Sequence, residues 1–306
     1  MSSSGAASSS AWLRFDALAR MPRNRCSQLS LFASAWSFGD LSACKQEVES
    51  GVFDGIEGPP PESAAEAREL SRSGLPYIAE ICSGGSYAPA SSVTFDRHFQ
   101  DFRSQLGRAA EANALFCSCL VGSDSWPLQV AIDFYGSALL FGKRSGIELS
   151  FETHRSRPTF HPWITAEILR ALPELRLTCD FSHWCVVCER LPDDEAVLDL
   201  VISRARHVHA RVGYAQGPQV PDPRAPEYET ELLAHEGWWH RIALSAAERS
   251  QPMLTVTPEF GPDGYLQQAP FTRRPVADLA ELNRWMAQRQ RAKLGELLAG
   301  ESAKPS

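Results

Sequence analysis

Carboxylates and imidazoles come together at five places in this chain, each at the end of an apolar run. They are Glu57 in "FDGIEG", Glu152 and His154 with Arg155 in "GIELSFETHR", and Asp180 and His183 in "LTCDFSHW". His207 and His209 follow with Arg211 in "HVHAR", then Glu259 in "TPEFGP". Alternation along an extended strand puts Glu152 with His154 on one face, and His207 with His209 and Arg211 on one face. Singly, each has a plain structural use. Asp180 and Ser182 suit a helix N-cap, His207 a satisfied core imidazole, Arg211 an ion pair and Glu259 a cap. Together they offer the oxygen and nitrogen donors that suit Mn²⁺, Mg²⁺, Co²⁺ or Zn²⁺. They also offer paired carboxylates, which general acid–base work at one carbon requires.

Such residues act together only if the fold converges them. From Gln28 onward, eight short apolar strand candidates alternate with amphipathic stretches of helical period such as "FDRHFQDFRSQLGRAAEAN" and "PWITAEILRALPEL". Eight strand–helix units in one chain of this length predict an α/β fold, a single-domain (β/α)8 TIM barrel, with function at the C-terminal ends of the strands. A doubly wound open sheet is the competing architecture. It calls for a glycine-rich phosphate loop after the first strand, and "ASAWSFGD" has no GxGxxG.

The bulk properties agree with a globular chain. Of 306 residues, 43% are apolar and 22% charged, enough for a sizeable core. A net charge of −7 argues against nucleic acid as partner, and no apolar run is long enough to span a membrane. The eight cysteines are spread out, and Cys185-Val-Val-Cys188 has no second CxxC to complete a zinc site, so reduced thiols are expected. Residues 1–25 are rich in Ser and Ala and carry Arg14, Arg20, Arg23 and Arg25 against Asp16 alone. They read as a disordered tail or a transit-like segment. The barrel is expected over 26–296 and a frayed tail over 297–306. The location is then cytoplasmic, or an organelle if residues 1–25 are a transit peptide.

Glutamate on the fifth strand, Asp-x-x-His on the sixth, His-x-His on the seventh and glutamate on the eighth resemble the xylose isomerase-like TIM barrel superfamily of sugar phosphate isomerases and epimerases. The likeness covers roughly residues 26–290. It implies one divalent ion held by Glu152, Asp180, His209 and Glu259. In the ketose 3-epimerases of that group the two metal-bound glutamates are also the acid/base pair, so Glu152 and Glu259 take that role here. His183 is implied to contact substrate. From the residues themselves, His154, Glu57 and His207 are further substrate-binding candidates. Arg155 and Arg211 could clamp a phosphate or carboxylate, or serve as loop salt bridges. Trp184 could stack on a sugar face, while Trp238 and Trp239 read as helix packing or a subunit contact, with a homodimer a possible assembly.

The implied activity is isomerisation or epimerisation of a sugar, sugar phosphate or related polyol, by proton transfer next to a carbonyl through an enediolate. Dehydration of the inosose dehydratase type is the alternative if a hydroxyl leaves, and a catalytically inactive barrel serving as a binding protein is another. The pattern departs from the 3-epimerases, which carry Gly-Glu and then Arg shortly after the seventh-strand histidine. Here Arg211 comes two residues after His209, and a Pro/Gly-rich loop follows. The endonuclease IV members need extra histidines for three metal ions, and "EICSGG" and "LVGSDSW" supply none. Lys45, Lys143, Lys293 and Lys304 all lie away from the strand ends, which removes the active-site lysine of the xylose-type isomerases.

Overall fold

A computed structural model describes residues 28–262 and 264–301. The eight expected strands form in order: β1 (Gln28–Ser34), β2 (Gly55–Gly58), β3 (Tyr77–Cys82), β4 (Cys117–Leu120), β5 (Leu149–Glu152), β6 (Leu177–Cys179), β7 (Ala205–His209) and β8 (Met253–Thr257). They pair in parallel in sequence order, and β1 also pairs with β8, so the barrel closes. Each strand is shorter than its apolar run. His154, Asp180, Arg211 and Glu259 therefore stand in the loops just past the strand ends.

The helices cover the outside. α1 (Ala35–Phe38) and α2 (Leu41–Glu49) follow β1, α3 (Ala64–Ser73) follows β2, α4 (Phe95–Glu111) β3 and α5 (Leu128–Ser145) β4. Next come α6 (Pro162–Ala171), α7 (Ser182–Val187), α8 (Glu195–Arg204), α9 (Glu229–Glu248) and α10 (Leu279–Glu301). Local chemistry starts several of them. Ser63 and Glu66 form a reciprocal capping box on α3, and Thr94 caps α4. His161 caps α6, whose first residue is Pro162. Trp238 and Trp239 are buried in α9, as helix packing requires. The last helix runs to Glu301, so residues 297–301 are helical where a frayed tail was expected. The transit-like segment 1–25 lies outside the described residues.

Contacts between non-adjacent strands can pass only through the barrel, and they identify its interior. Phe32, Ile78 and Phe116 form an apolar plug separate from the main core. Gly55 makes room for it, since a Cβ there would lie 2.5 Å from the Phe32 ring. Above the plug, Thr178 on β6 joins Ser118 on β4 at 3.0 Å and donates to Ser150 on β5 at 2.9 Å. Carboxylates and imidazoles form the next layer. A floor of hydroxyls lowers the cost of burying charge directly above it.

Candidate functional site

The site is built where four strands end. Glu152 closes β5, Asp180 follows β6, His209 closes β7 and Glu259 lies just beyond β8. All are buried, and each offers a ligand atom within 4.8 Å of the others. Asp180 is partly engaged in local structure. Its Oδ1 accepts from the Ser182 amide at 3.0 Å and the Ser182 hydroxyl at 2.5 Å, fastening the start of α7. Its Oδ2 accepts from Arg211 on the side of the quartet.

The two nitrogens of His209 do different work. Nε2 donates to Glu57 Oε1 at 3.1 Å, which holds a proton there and turns Nδ1 inward. Nδ1 lies 3.0 Å from Glu259 Oε2 and 3.7 Å from Glu152 Oε2. Both His209 Nδ1 and Glu152 Oε2 are buried without a hydrogen-bond partner among the described residues. A buried acceptor left unmade is costly, and one cation between these atoms satisfies both. Three carboxylates and a neutral imidazole nitrogen are a donor set for a divalent ion. The carboxylate behind the histidine is the outer support that metal-bound histidines use. The residues fit a metal ion.

Glu57 and His207 sit one layer below and do not line the cavity, contrary to their expected contact with substrate. Glu57 accepts from His207 Nε2 at 3.1 Å, from His209 Nε2 and from the Thr257 hydroxyl at 2.5 Å. Burial would raise its carboxyl, but His207 and His209 outweigh that and hold it well below the usual carboxylate range. His207 Nδ1 meets the Thr255 hydroxyl at 2.8 Å.

Above the quartet is a cavity of about 220 Å³. His154 and Arg155 line it, Arg155 lying over the Tyr265 ring at 5.0 Å. Arg211 also reaches it, but is already engaged. It donates to Asp180 Oδ2, to His183 Nε2 at 2.9 Å, to Ser182 Oγ at 3.1 Å and to the Glu259 carbonyl at 3.0 Å. Its charge offsets the carboxylates, so it is a bracket for the quartet rather than an open anion clamp. Because His183 Nε2 accepts from Arg211, its proton sits on Nδ1, a buried atom without a partner among the described residues. The His183 ring lies 4.0 Å from that of His154, and burial keeps both imidazoles neutral.

Trp184 corrects another expectation. It is fully buried, its indole donating to the Thr159 carbonyl at 2.9 Å, because α7 turns it into the wall. The aromatic faces of the cavity are instead Trp36, Tyr87 and Tyr265. The sequence reading also passed over Glu80, a buried carboxyl on β3 that lines the cavity and takes a hydrogen bond from Tyr87. Two-residue alternation from Ile78 was a sufficient signal for it. Cys185 and Cys188 are free, and burial pushes both thiols up, away from the thiolate a redox pair needs.

Proton affinity is raised at three of the four quartet residues. Burial pushes the Glu152 carboxyl up to about 7 against the pull of His209, and raises Asp180 as well. His209 is driven well above its ordinary value: burial opposes this, but Glu259, Glu57 and Glu152 prevail. Protons and a cation therefore compete for the same atoms. Affinity for Mn²⁺ is expected to fall as pH drops below about 7, by about tenfold per unit for each proton displaced. Titration calorimetry between pH 5.5 and 8.5 checks this, and an affinity flat with pH would contradict it.

No protein-family model matches this chain, and no curated protein matches it. Solved structures do match in fold. A D-psicose 3-epimerase determined in the presence of D-fructose superposes at TM-score 0.58 and 13% identity, over 87% of this chain and 99% of the other. The IolI protein with a bound zinc atom gives TM-score 0.58 at 10% identity, over 90% and 100%. The probable 3-DHS dehydratase AsbF of Bacillus anthracis gives 0.53 at 13%, over 85% and 97%. The chain shares the (β/α)8 barrel fold of these proteins. Identities this low establish the architecture and leave the chemistry to this chain's own residues. Among the described residues, no helix is long and apolar enough to cross a membrane.

Proposed function

We propose that this barrel binds one divalent cation through Glu152, Asp180, His209 and Glu259. With it, the protein isomerises or epimerises a sugar or related polyol by moving a proton at a carbon next to a carbonyl. The observation that carries this reading is the pair of partnerless buried atoms, His209 Nδ1 and Glu152 Oε2, beside Glu259. A bound cation would draw charge from the substrate oxygens and so ease removal of the neighbouring proton. Glu152 and Glu259 flank His209 Nδ1 and reach the cavity from different strands, which suits one to take a proton and the other to return one. His183, held neutral, has a partnerless Nδ1–H beside His154, which lines the cavity, and would offer it to substrate. Arg155 at the rim binds a hydroxyl or an anionic substituent. A cavity of about 220 Å³ suits one small polyol, being below the roughly 300–1,000 Å³ typical of drug-sized ligands.

Glu80 favours dehydration as a second reading. Burial, with Glu259, Glu57 and Glu152 nearby, pushes its carboxyl up to about 8. A neutral acid facing the cavity could protonate a departing hydroxyl. The test is incubation of the Mn²⁺-loaded protein in D₂O with a panel of ketoses, inososes and their phosphates. Deuterium should enter at carbon with at least one of them, and chelator should stop it. The product, epimer or dehydrated, chooses between the two readings. Metal bound without exchange in any substrate would leave a binding protein.

A further inference from the structure

A larger space lies beside the cavity above the quartet. It is a groove of about 770 Å³ on the same end of the barrel, beside the ends of β1 and β2. Trp36 and Tyr87 line both spaces, so the two share a wall. The Trp36 ring is seated on the backbone of Gly261, where a Cβ would fall 1.7 Å from it, and meets Tyr265 edge-on at 4.8 Å. The Trp36 ring is therefore held in place where the two spaces adjoin, and it lines the groove as well as the cavity.

The chemistry of the groove selects its ligand. Pro59, Pro60 and Pro61 form a stiff floor without amide donors. Of the acids present, Asp40 and Glu66 are spent on capping α2 and α3. Glu62, Glu69 and Lys45 have no ion pair or hydrogen bond among the described residues. Arg108 donates to Ser104 through Nη1, while its Nε is buried without a partner. With more acids than bases around it, the groove does not favour an anionic tail. Free donors and acceptors beside aromatic faces match a neutral ring whose hydroxyls both donate and accept and whose C–H face packs on an aromatic.

We propose that this groove is a subsite for the non-reacting end of a neutral, hydroxyl-rich substrate. The natural substrate is then longer than a monosaccharide, its carbonyl end in the small cavity and a further glycosyl unit in the groove. The proposal rests on the polyol reading above, which supplies the occupant of the small cavity.

The test compares D-fructose with maltulose, a glucosyl-fructose whose keto end is free, by titration calorimetry on the Mn²⁺-loaded full chain. Maltulose should bind at least ten times more tightly. The double variant Lys45→Ala/Arg108→Ala, which touches none of the quartet, should erase that gain and leave D-fructose binding unchanged. Equal binding of the two sugars, no binding of either, or a gain that survives the double variant overturns the subsite. Deuterium exchange run alongside separates the two ideas. A gain that the variant erases, without exchange, keeps the subsite and removes the chemistry. Exchange into D-fructose with no gain for maltulose does the reverse.

Discussion

Glu152→Gln and Glu259→Gln should each lower turnover by about 10²–10⁴-fold, the usual contribution of a positioned general base, while metal is still bound. Glutamine keeps the size and one oxygen donor of glutamate and removes only the charge and basicity. Metal affinity should therefore fall moderately and catalysis severely. The two variants should also differ from each other. If the glutamates work on opposite faces of one carbon, the variant that keeps the base facing the bound epimer still washes deuterium into substrate without completing inversion. The other does neither from that side. Mass spectrometry of recovered substrate reads both. Near-normal turnover in both variants with metal bound would make the glutamates ligands only and return the search to His183 or His154.

Loss of metal is the second large effect. Asp180→Ala and His209→Ala should bring metal content from about one ion per chain to near zero, since each removes a ligand from a set of four. Glu57→Gln should be milder, costing about 10–100-fold in affinity, because it removes the support behind His209 rather than a ligand. Elemental analysis and Mn²⁺ titration measure these changes, and thermal melts confirm that the variants fold. Full occupancy in both alanine variants would falsify the ligand assignment. An effect of Glu57→Gln as large as that of His209→Ala would show that Glu57 itself reaches the ion.

Much of the site was legible because strand periodicity is local. "FETH" and "HVHAR" carry inward residues at two-residue spacing, and any closed barrel brings such strand ends together. Asp180 was legible only as an ambiguity between helix cap and ligand. In the structure one carboxylate oxygen holds the Ser182 amide and the other meets Arg211 beside the quartet. Trp184 was misread because its direction depends on how α7 leaves β6, which strand alternation does not reach. Glu57 and His207 were read as contacts to substrate. Their depth below the cavity depends on register across the barrel, where Glu57 meets residues 150 and 152 positions away.

By itself, the sequence determined the alternation of eight strands with amphipathic helices and the polar residues that end those strands. Both follow from short-range rules of backbone period and burial. Only the tertiary structure decided which polar groups remain unmet. Arg211 could have been an open clamp until its guanidinium was seen engaged with Asp180, His183 and Ser182. His209 could have presented either nitrogen until Glu57, from the far side of the barrel, took Nε2. Closure of the barrel decides these because a buried polar atom must find its partner in three dimensions. The atoms that find none among the described residues, His209 Nδ1 and Glu152 Oε2, are where the proposed cation would sit.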